Sequence, residues 1–339
     1  MQEPAILDQV LRGLALNRTP GFHFPVHFLE VSFDEVTDGG AHLSIDPGPH
    51  CVDATGAIHR GALALQADLA MSAGIRAGLD PAQRLGTVSM TLHLTGVAAR
   101  GRIEAHGWFE GMVAGAAGRQ AQARFVLRDA NTTVGFGGGS FMVLDPPPGV
   151  SLHPTPLRQR GHVRPPGLAL DDLTADEQSI YGRARKALEA AGAAGAAGPV
   201  AADRTDTARC PPCSFIEAFW GPQIERSPKG ATAVVDNAGH VGNRVGHMQG
   251  GLLLDFLATC ADAALPAAPS WQLTASTVAF VSPGAGPRLH ASSQVVHQGG
   301  LTAVVRTEVR RSDGRLVLDG VTHHSRSLTP YSEGRPPDR

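Results

Sequence analysis

AIHRGALALQADLAM, residues 57–71, is the stretch whose reading decides the fold. After His59-Arg60-Gly61 it is built from good helix formers, without proline, and apolar at almost every position. A helix that is apolar on all sides is a buried one. Yet Asp68 sits in its middle. A buried carboxylate is costly unless it finds a partner or shifts its pKa. The helix, predicted over 59–78, therefore needs a wall all round it, and Asp68 needs a purpose.

The neighbouring sequence supplies that wall. FLEVSFDEVTDGGAHLSI (28–45) precedes the helix; TVSMTLHLTG (87–96), GRIEAHGWFEG (101–111), RQAQARFVLRD (119–129) and TTVGFGGGSFMVL (132–144) follow it. Their alternating patterns read as antiparallel strands. The same order recurs about 190 residues later, with AFWGPQIERSPKGATAVVD (218–236), a second apolar helix over 250–265, and LTASTVAFVS, RLHASSQVVHQ, LTAVVRTEVRRS and RLVLDGVTHHS between 273 and 325. Asp313-Gly314 is a hairpin signal. Two copies of one order are an internal duplication, and the fold class is α+β, each half an antiparallel sheet wrapped around its long central helix. The Pro/Gly-rich run DPPPGVSLHPTPLRQRGHVRPPGLAL (145–170) separates the halves. The expected division is a domain over 1–145, a linker over 146–172, a domain over 173–330 and a tail over 331–339. The second domain opens with LTADEQSIYGRARKALEAAG, a helix with Thr174 and Glu177 as a capping box and Gly192 at its end.

Composition narrows the function. The chain has 339 residues, 42% hydrophobic and 18% charged, and a net charge of -2. Those values fit a globular protein and give no electrostatic case for nucleic acid or an anionic membrane as partner. No apolar run is long enough for a transmembrane helix. The first residues read as a short helix with Pro4 in its first turn rather than as a signal peptide. Four cysteines, Cys51, Cys210, Cys213 and Cys260, are too few for a disulfide framework, which favours the cytoplasm. Cys210-Pro-Pro-Cys213 has redox or zinc spacing but no second pair. Among the motifs, GFGGGSF (135–141) lies in a strand and opens no helix, so it is no dinucleotide loop. There is no GxSxG and no HExxH, and His323-His324 point to opposite faces of a strand and read as exposed.

The motifs that remain resemble one family. HRGALALQAD is similar to the HGG…D signature of PaaI-like hotdog-fold thioesterases, and NRVGHMQGG (243–251) is similar to the family's Asn-Arg-x-Gly-x-x-His-Gly-Gly segment. Ser89 in TVSMTLHL and Ser276 in TASTVAFV stand where the family strand carries a serine or threonine. The resemblance covers most of both halves and implies a tandem, or double, hotdog. The halves depart from the pattern in complementary ways. Asp53 stands where the family has Asn, while His59, Gly61, Asp68 and Ser89 fit; Asn243, Gly246, Gly250 and Gly251 fit, while Gln249 replaces His and Ala258 holds the catalytic Asp position.

Helix geometry restricts how these residues combine. His59 and Asp68 are nine residues apart, about 13 Å along the axis and on opposite sides, so one carbonyl cannot use both. A site must take its carboxylate from one helix and its helix start from the other, which makes the tandem an intramolecular pseudo-dimer; pairing of two whole chains into a homodimer stays open. The expected competent site combines Asp68 as general base or nucleophile, Ser89 holding the water, and Asn243, Gln249 and the Gly250 amide as oxyanion donors. The second, degenerate site combines Asp53, His59 and Gly61 with Ala258 and Ser276. Asp255 and Asp262 share a helix face that meets solvent or the other half. The resemblance implies hydrolysis of an acyl-CoA thioester, with CoA as part of the substrate and no metal or other cofactor. Leu63, Leu65, Met71, Leu252 and Phe256 are the expected acyl lining, and Arg60, Arg84 and Arg244 are candidates for the CoA phosphates. Two alternatives stand beside this: a hotdog enoyl-thioester hydratase or dehydratase, which lacks its GDxNPxH segment here, and a non-catalytic acyl-CoA-binding protein, which Ala258 favours.

Overall fold

A computed structural model describes residues 3–19, 21, 23–80, 83–115, 119–145, 157, 165–196, 214–266 and 270–326. Cys210, Cys213, most of the linker and the tail lie outside them. The first half runs α1 (Glu3–Asn17), α2 (Phe24–Phe28), β1 (Ser32–Thr37), β2 (Gly40–Ile45), α3 (Arg60–Ala77), β3 (Arg84–Leu94), β4 (Ile103–Met112), β5 (Gln120–Asp129) and β6 (Thr132–Leu144). The second runs α4 (Ala175–Ala196), α5 (Phe215–Trp220), β7 (Gln223–Ser227), β8 (Gly230–Asp236), α6 (Gly250–Ala264), β9 (Trp271–Phe280), β10 (Arg288–Gln298), β11 (Thr302–Arg311) and β12 (Leu316–Arg326). The order of elements is the same twice.

The twelve strands of the described residues form one antiparallel sheet, ordered β1-β2-β4-β5-β6-β3-β9-β12-β11-β10-β8-β7. Read inward from either edge, the two halves have the same strand order, and they meet at β3 and β9. There Ser89 pairs with Ala279 and Leu92 with Ser276. Ser89 and Ser276, equated from sequence, thus hold symmetry-related places in the central ladder.

The sheet curves over α3 and α6, which is the hotdog arrangement. Every residue of α3 from Gly61 to Ile75 is buried, so its lack of a polar face is satisfied by packing on all sides. His59 caps it, its Nδ1 accepting from the Gly61 amide at 3.0 Å, and Gln249 caps α6 the same way, its Oε1 accepting from the Leu252 amide at 3.0 Å. Thr174 and Glu177 do form the capping box of α4, but that helix continues past Gly192 to Ala196, since glycine inside a helix costs only about 1 kcal/mol. No helix among the described residues is long and apolar enough to cross a membrane.

The two central helices touch where their side chains are smallest. A Cβ on Gly251 would lie 2.4 Å from the Ala64 carbonyl and the Leu65 nitrogen. A Cβ on Gly107 of β4 would lie 2.2 Å from the Ala70 oxygen, so α3 is seated on the sheet with equal closeness. Neither backbone can move without unseating a helix. Gly251→Ala is therefore expected to destabilise the fold by about 3 kcal/mol, read as a lowered midpoint in denaturant unfolding. An unchanged midpoint would mean that the helices are free to part.

Candidate active site

Close contact between α3 and α6 brings Asp68 of the first half to the start of the second half's helix. Gln249 donates from Nε2 to Asp68 Oδ2 at 2.7 Å, across 181 residues of chain. Thr87 of β3 donates from Oγ1 to Asp68 Oδ1 at 3.1 Å. Gly250, the first residue of α6, lies against the same carboxylate. A Cβ there would sit 3.2 Å from both Asp68 Oδ2 and Thr87 Oγ1, so its absence keeps open the space beside Asp68. The first amides of a helix have no intrahelical acceptor.

Asp68, Thr87, Asn243, Gln249 and Gly250 all line one cavity of about 430 Å³, a volume usual for small-molecule sites. Leu69, Leu85, Phe141, Leu253 and Phe280 supply apolar wall, and Arg76, Arg84 and Arg244 supply cations. Burial lifts the Asp68 pKa to about 6, against the pull of the Thr87 hydrogen bond and the Arg76 charge. Each of its oxygens accepts one hydrogen bond and keeps a further lone pair.

Asn243 reaches the cavity, and its Oδ1 is occupied. It accepts from the amides of Val245 and His247 at 3.0 and 3.1 Å and so shapes the loop that delivers Gln249. Asp53 does the same in the first half, its Oδ1 accepting from the amides of Thr55 and Ala57 at 2.8 and 3.2 Å. Asp and Asn are interchangeable here because a local acceptor oxygen is all the loop uses.

Ser89 does not reach Asp68. A bulge between Thr87 and Ser89 offsets β3 against β6, so Thr87 pairs with Phe141 and Ser89 with Ser140. Paired residues share a face. Phe141 lines the cavity, while Ser89 bonds Ser140 Oγ at 2.7 Å. Met90 pairs with Gly139, which abuts Met71 of α3, so Ser89 points to the other face of the sheet. Thr87 takes the place expected for Ser89. The expected acyl lining also moves: Leu63, Leu65, Met71, Leu252 and Phe256 lie in the hydrophobic core, and the cavity takes the next helical face, Leu69, Ser72 and Ala73.

The symmetry-related position is occupied by an ion network. Arg60 stands where the second half has Gly250. Its guanidinium bonds Asp255 Oδ1 and Asp262 Oδ2 at 2.7 Å each, and Thr259 Oγ1 at 2.9 Å. It is therefore committed to α6 and is not available to a phosphate. Burial would raise the Asp262 pKa, but Arg60 and His324 hold it below the usual carboxylate range. His324 is buried, its Nε2 2.9 Å from Asp262 Oδ1, rather than exposed as the strand pattern suggests. His59 stays a cap, 3.9 Å from Asp255, while Ala258 and Ser276 are fully buried. The spacing of Asp255, Thr259 and Asp262 along one face of α6, opposite an arginine at a helix start, was the sequence signal for this network.

No family model and no curated protein matches the chain. Among solved structures it is similar to a protein named as a candidate thioesterase from Novosphingobium aromaticivorans, 14% identical over 87% of this chain and 98% of that one, with a TM-score of 0.52. It is also similar to a protein from Lactobacillus plantarum, provisionally named an oleoyl thioesterase, 13% identical over 85% of this chain and 96% of that one, with a TM-score of 0.51. At these identities the likeness is one of fold.

The buried carboxylate has a stability consequence. Its folded-state pKa of about 6 lies above the ordinary 3.8, so the folded chain keeps a proton that the unfolded chain has lost. Stability therefore falls as pH rises through that window. Asp68→Asn removes the penalty while Gln249 and Thr87 still find polar partners. The variant is expected to be about 1–3 kcal/mol more stable than the wild type at pH 8 and equal to it near pH 4, by thermal or denaturant unfolding. A variant less stable at pH 8 would mean that the charge is not desolvated.

Proposed function

We propose that the chain is an acyl-thioester hydrolase, an acyl-CoA thioesterase in a tandem hotdog form of PaaI-like type, with one working site shared between the halves. The observation that carries this reading is the Asp68 carboxylate of α3, bonded to the N-cap of α6 at the wall of the 430 Å³ cavity. The names of the two structural neighbours agree with it.

A thioester carbonyl is electrophilic and a thiolate leaves readily, so the reaction needs an activated water and an oxyanion site. Asp68 is the base in this scheme. Its raised pKa of about 6 makes it stronger than an ordinary carboxylate while leaving it ionised at neutral pH. The water oxygen bonds to the carbonyl carbon as its proton passes to Asp68. The amide at Gly250 and the second N–H of Gln249 receive the developing negative charge. The C–S bond then breaks, and the thiolate takes back the proton. Thr87 holds Asp68 in orientation, and Asn243 acts through the loop it shapes. The chemistry calls for no metal or redox cofactor. Arg60 in place of a glycine, together with Ala258 in place of a carboxylate, leaves the symmetry-related site without the means to hydrolyse.

Release of free thiol from a panel of acyl-CoAs tests this. The wild type is expected to turn over at least one member, with kcat/KM rising through pH 6 to a plateau, because the base must be ionised. Asp68→Asn is expected to lose about 10²–10⁴-fold. Turnover that survives the substitution would move the chemistry elsewhere. Binding of CoA esters without turnover would favour a binding protein.

A further inference from the structure

Three arginines line the cavity that holds Asp68, and among the described residues Arg76 has no acidic residue bonded to it. Arg76 lies eight residues beyond Asp68 on α3 and lines the same cavity. Among the described residues its guanidinium makes no hydrogen bond or ion pair; the Arg244 charge repels it and the Asp68 charge attracts it. Burial and Arg244 pull its pKa down to about 10, which still leaves it cationic at neutral pH. Arg244 and Arg84 line the cavity too, and among the described residues Asp68 is the only carboxylate that does. His23, also on the wall, has both ring nitrogens buried without a partner, and burial pushes its pKa down to about 3, so it remains neutral there. The sequence from 146 to 170, whose Leu157 touches the cavity, contains no acid. A half-buried guanidinium facing the Arg244 charge, in a cavity that also holds Arg84 and an uncharged histidine, is a cost to the empty protein that an anion would relieve.

Distance indicates which anion. Eight residues of helix place the Arg76 backbone about 12 Å from that of Asp68 along the axis. Helical side chains lean toward the N-terminus, which shortens the gap between guanidinium and carboxylate. An anion that Arg76 holds is therefore a few bonds from a carbonyl lying at Asp68. An extended pantetheine arm carries the CoA phosphates farther away than that, and the nucleotide is too large to share a 430 Å³ cavity with an acyl group.

We infer that Arg76, with Arg244 beside it, binds a carboxylate carried by the acyl group, so that the preferred substrate is the thioester of a short dicarboxylic acid. This rests on the thioesterase reading for the word substrate, but the anion site is testable without turnover. Calorimetry on the full-length protein would compare glutarate, the uncharged butyramide and CoA as ligands of the wild type, Arg76→Met and Arg76→Lys. Glutarate is expected to bind about 10- to 100-fold more tightly than butyramide to the wild type, to lose that advantage in Arg76→Met, and to keep part of it in Arg76→Lys. CoA affinity is expected to stay unchanged across the three. Equal affinity of glutarate for wild type and Arg76→Met would overturn the inference, as would a loss confined to CoA, which would assign Arg76 to the nucleotide phosphates. An unaltered unfolding midpoint in Arg76→Lys guards against a folding defect. Glutarate binding that needs Arg76, with no thioester hydrolysed, would keep the anion site and defeat the hydrolase reading instead.

Discussion

The hydrogen bond from Gln249 to Asp68 exists only because two buried helices approach to backbone contact. With Gly251 set against Ala64 and Leu65, nothing larger than a hydrogen atom separates α6 from α3 at that point. The approach fixes the position of the α6 N-terminus, and with it Gln249 and Gly250, relative to a carboxylate on the other half. The sheet follows from the same constraint. β3 and β9 pair directly, so twelve strands run unbroken over both helices. Burying Asp68 is unfavourable in isolation; two hydrogen bonds offset part of the cost, and the remainder appears as a raised pKa.

The two symmetry-related positions have opposite characters. At one, a glycine at the helix start leaves room beside a carboxylate. At the other, an arginine at the helix start fills the room and is held by Asp255, Thr259 and Asp262. Ala258 holds the place of Asp68 in the second half, and the acids near it, Asp255 and Asp262, are bound to Arg60, whereas Asp68 has neutral donors and an open wall. Asp255 has a cation on it and a cap, His59, behind it. Solvation and charge pairing, more than the presence of an acid, separate a carboxylate with a raised pKa from one that ties two halves together.

The legible part of this structure is the part set by composition over long windows. The almost continuous apolar character of 61–75 requires a helix enclosed on all sides, and the repeated order of segments requires two such units. Asp68, Gln249 and Gly250 are legible because a short motif fixes them relative to helix starts. Thr87 is not, because a single bulged residue between Thr87 and Ser89 reverses which side chain faces the helix, and bulges leave little trace in a strand pattern. The cavity wall is not legible either. Leu63, Leu65 and Leu69 are equally apolar in sequence, and only the position of the neighbouring loop decides which of them meets open space. Likewise His324 reads as a surface residue until Asp262, 62 residues away, is placed beneath it.

The most direct test of a site shared between the halves is the titration of Asp68 itself, followed by carbon NMR of its carboxyl group in the wild type and in Gln249→Leu. A donor on the ionised form holds a carboxyl pKa down. The wild type should titrate near 6, and loss of the donor from the other half should move the midpoint upward. A midpoint that is the same in both proteins would mean that Gln249 does not touch Asp68, and the shared site would have to be abandoned.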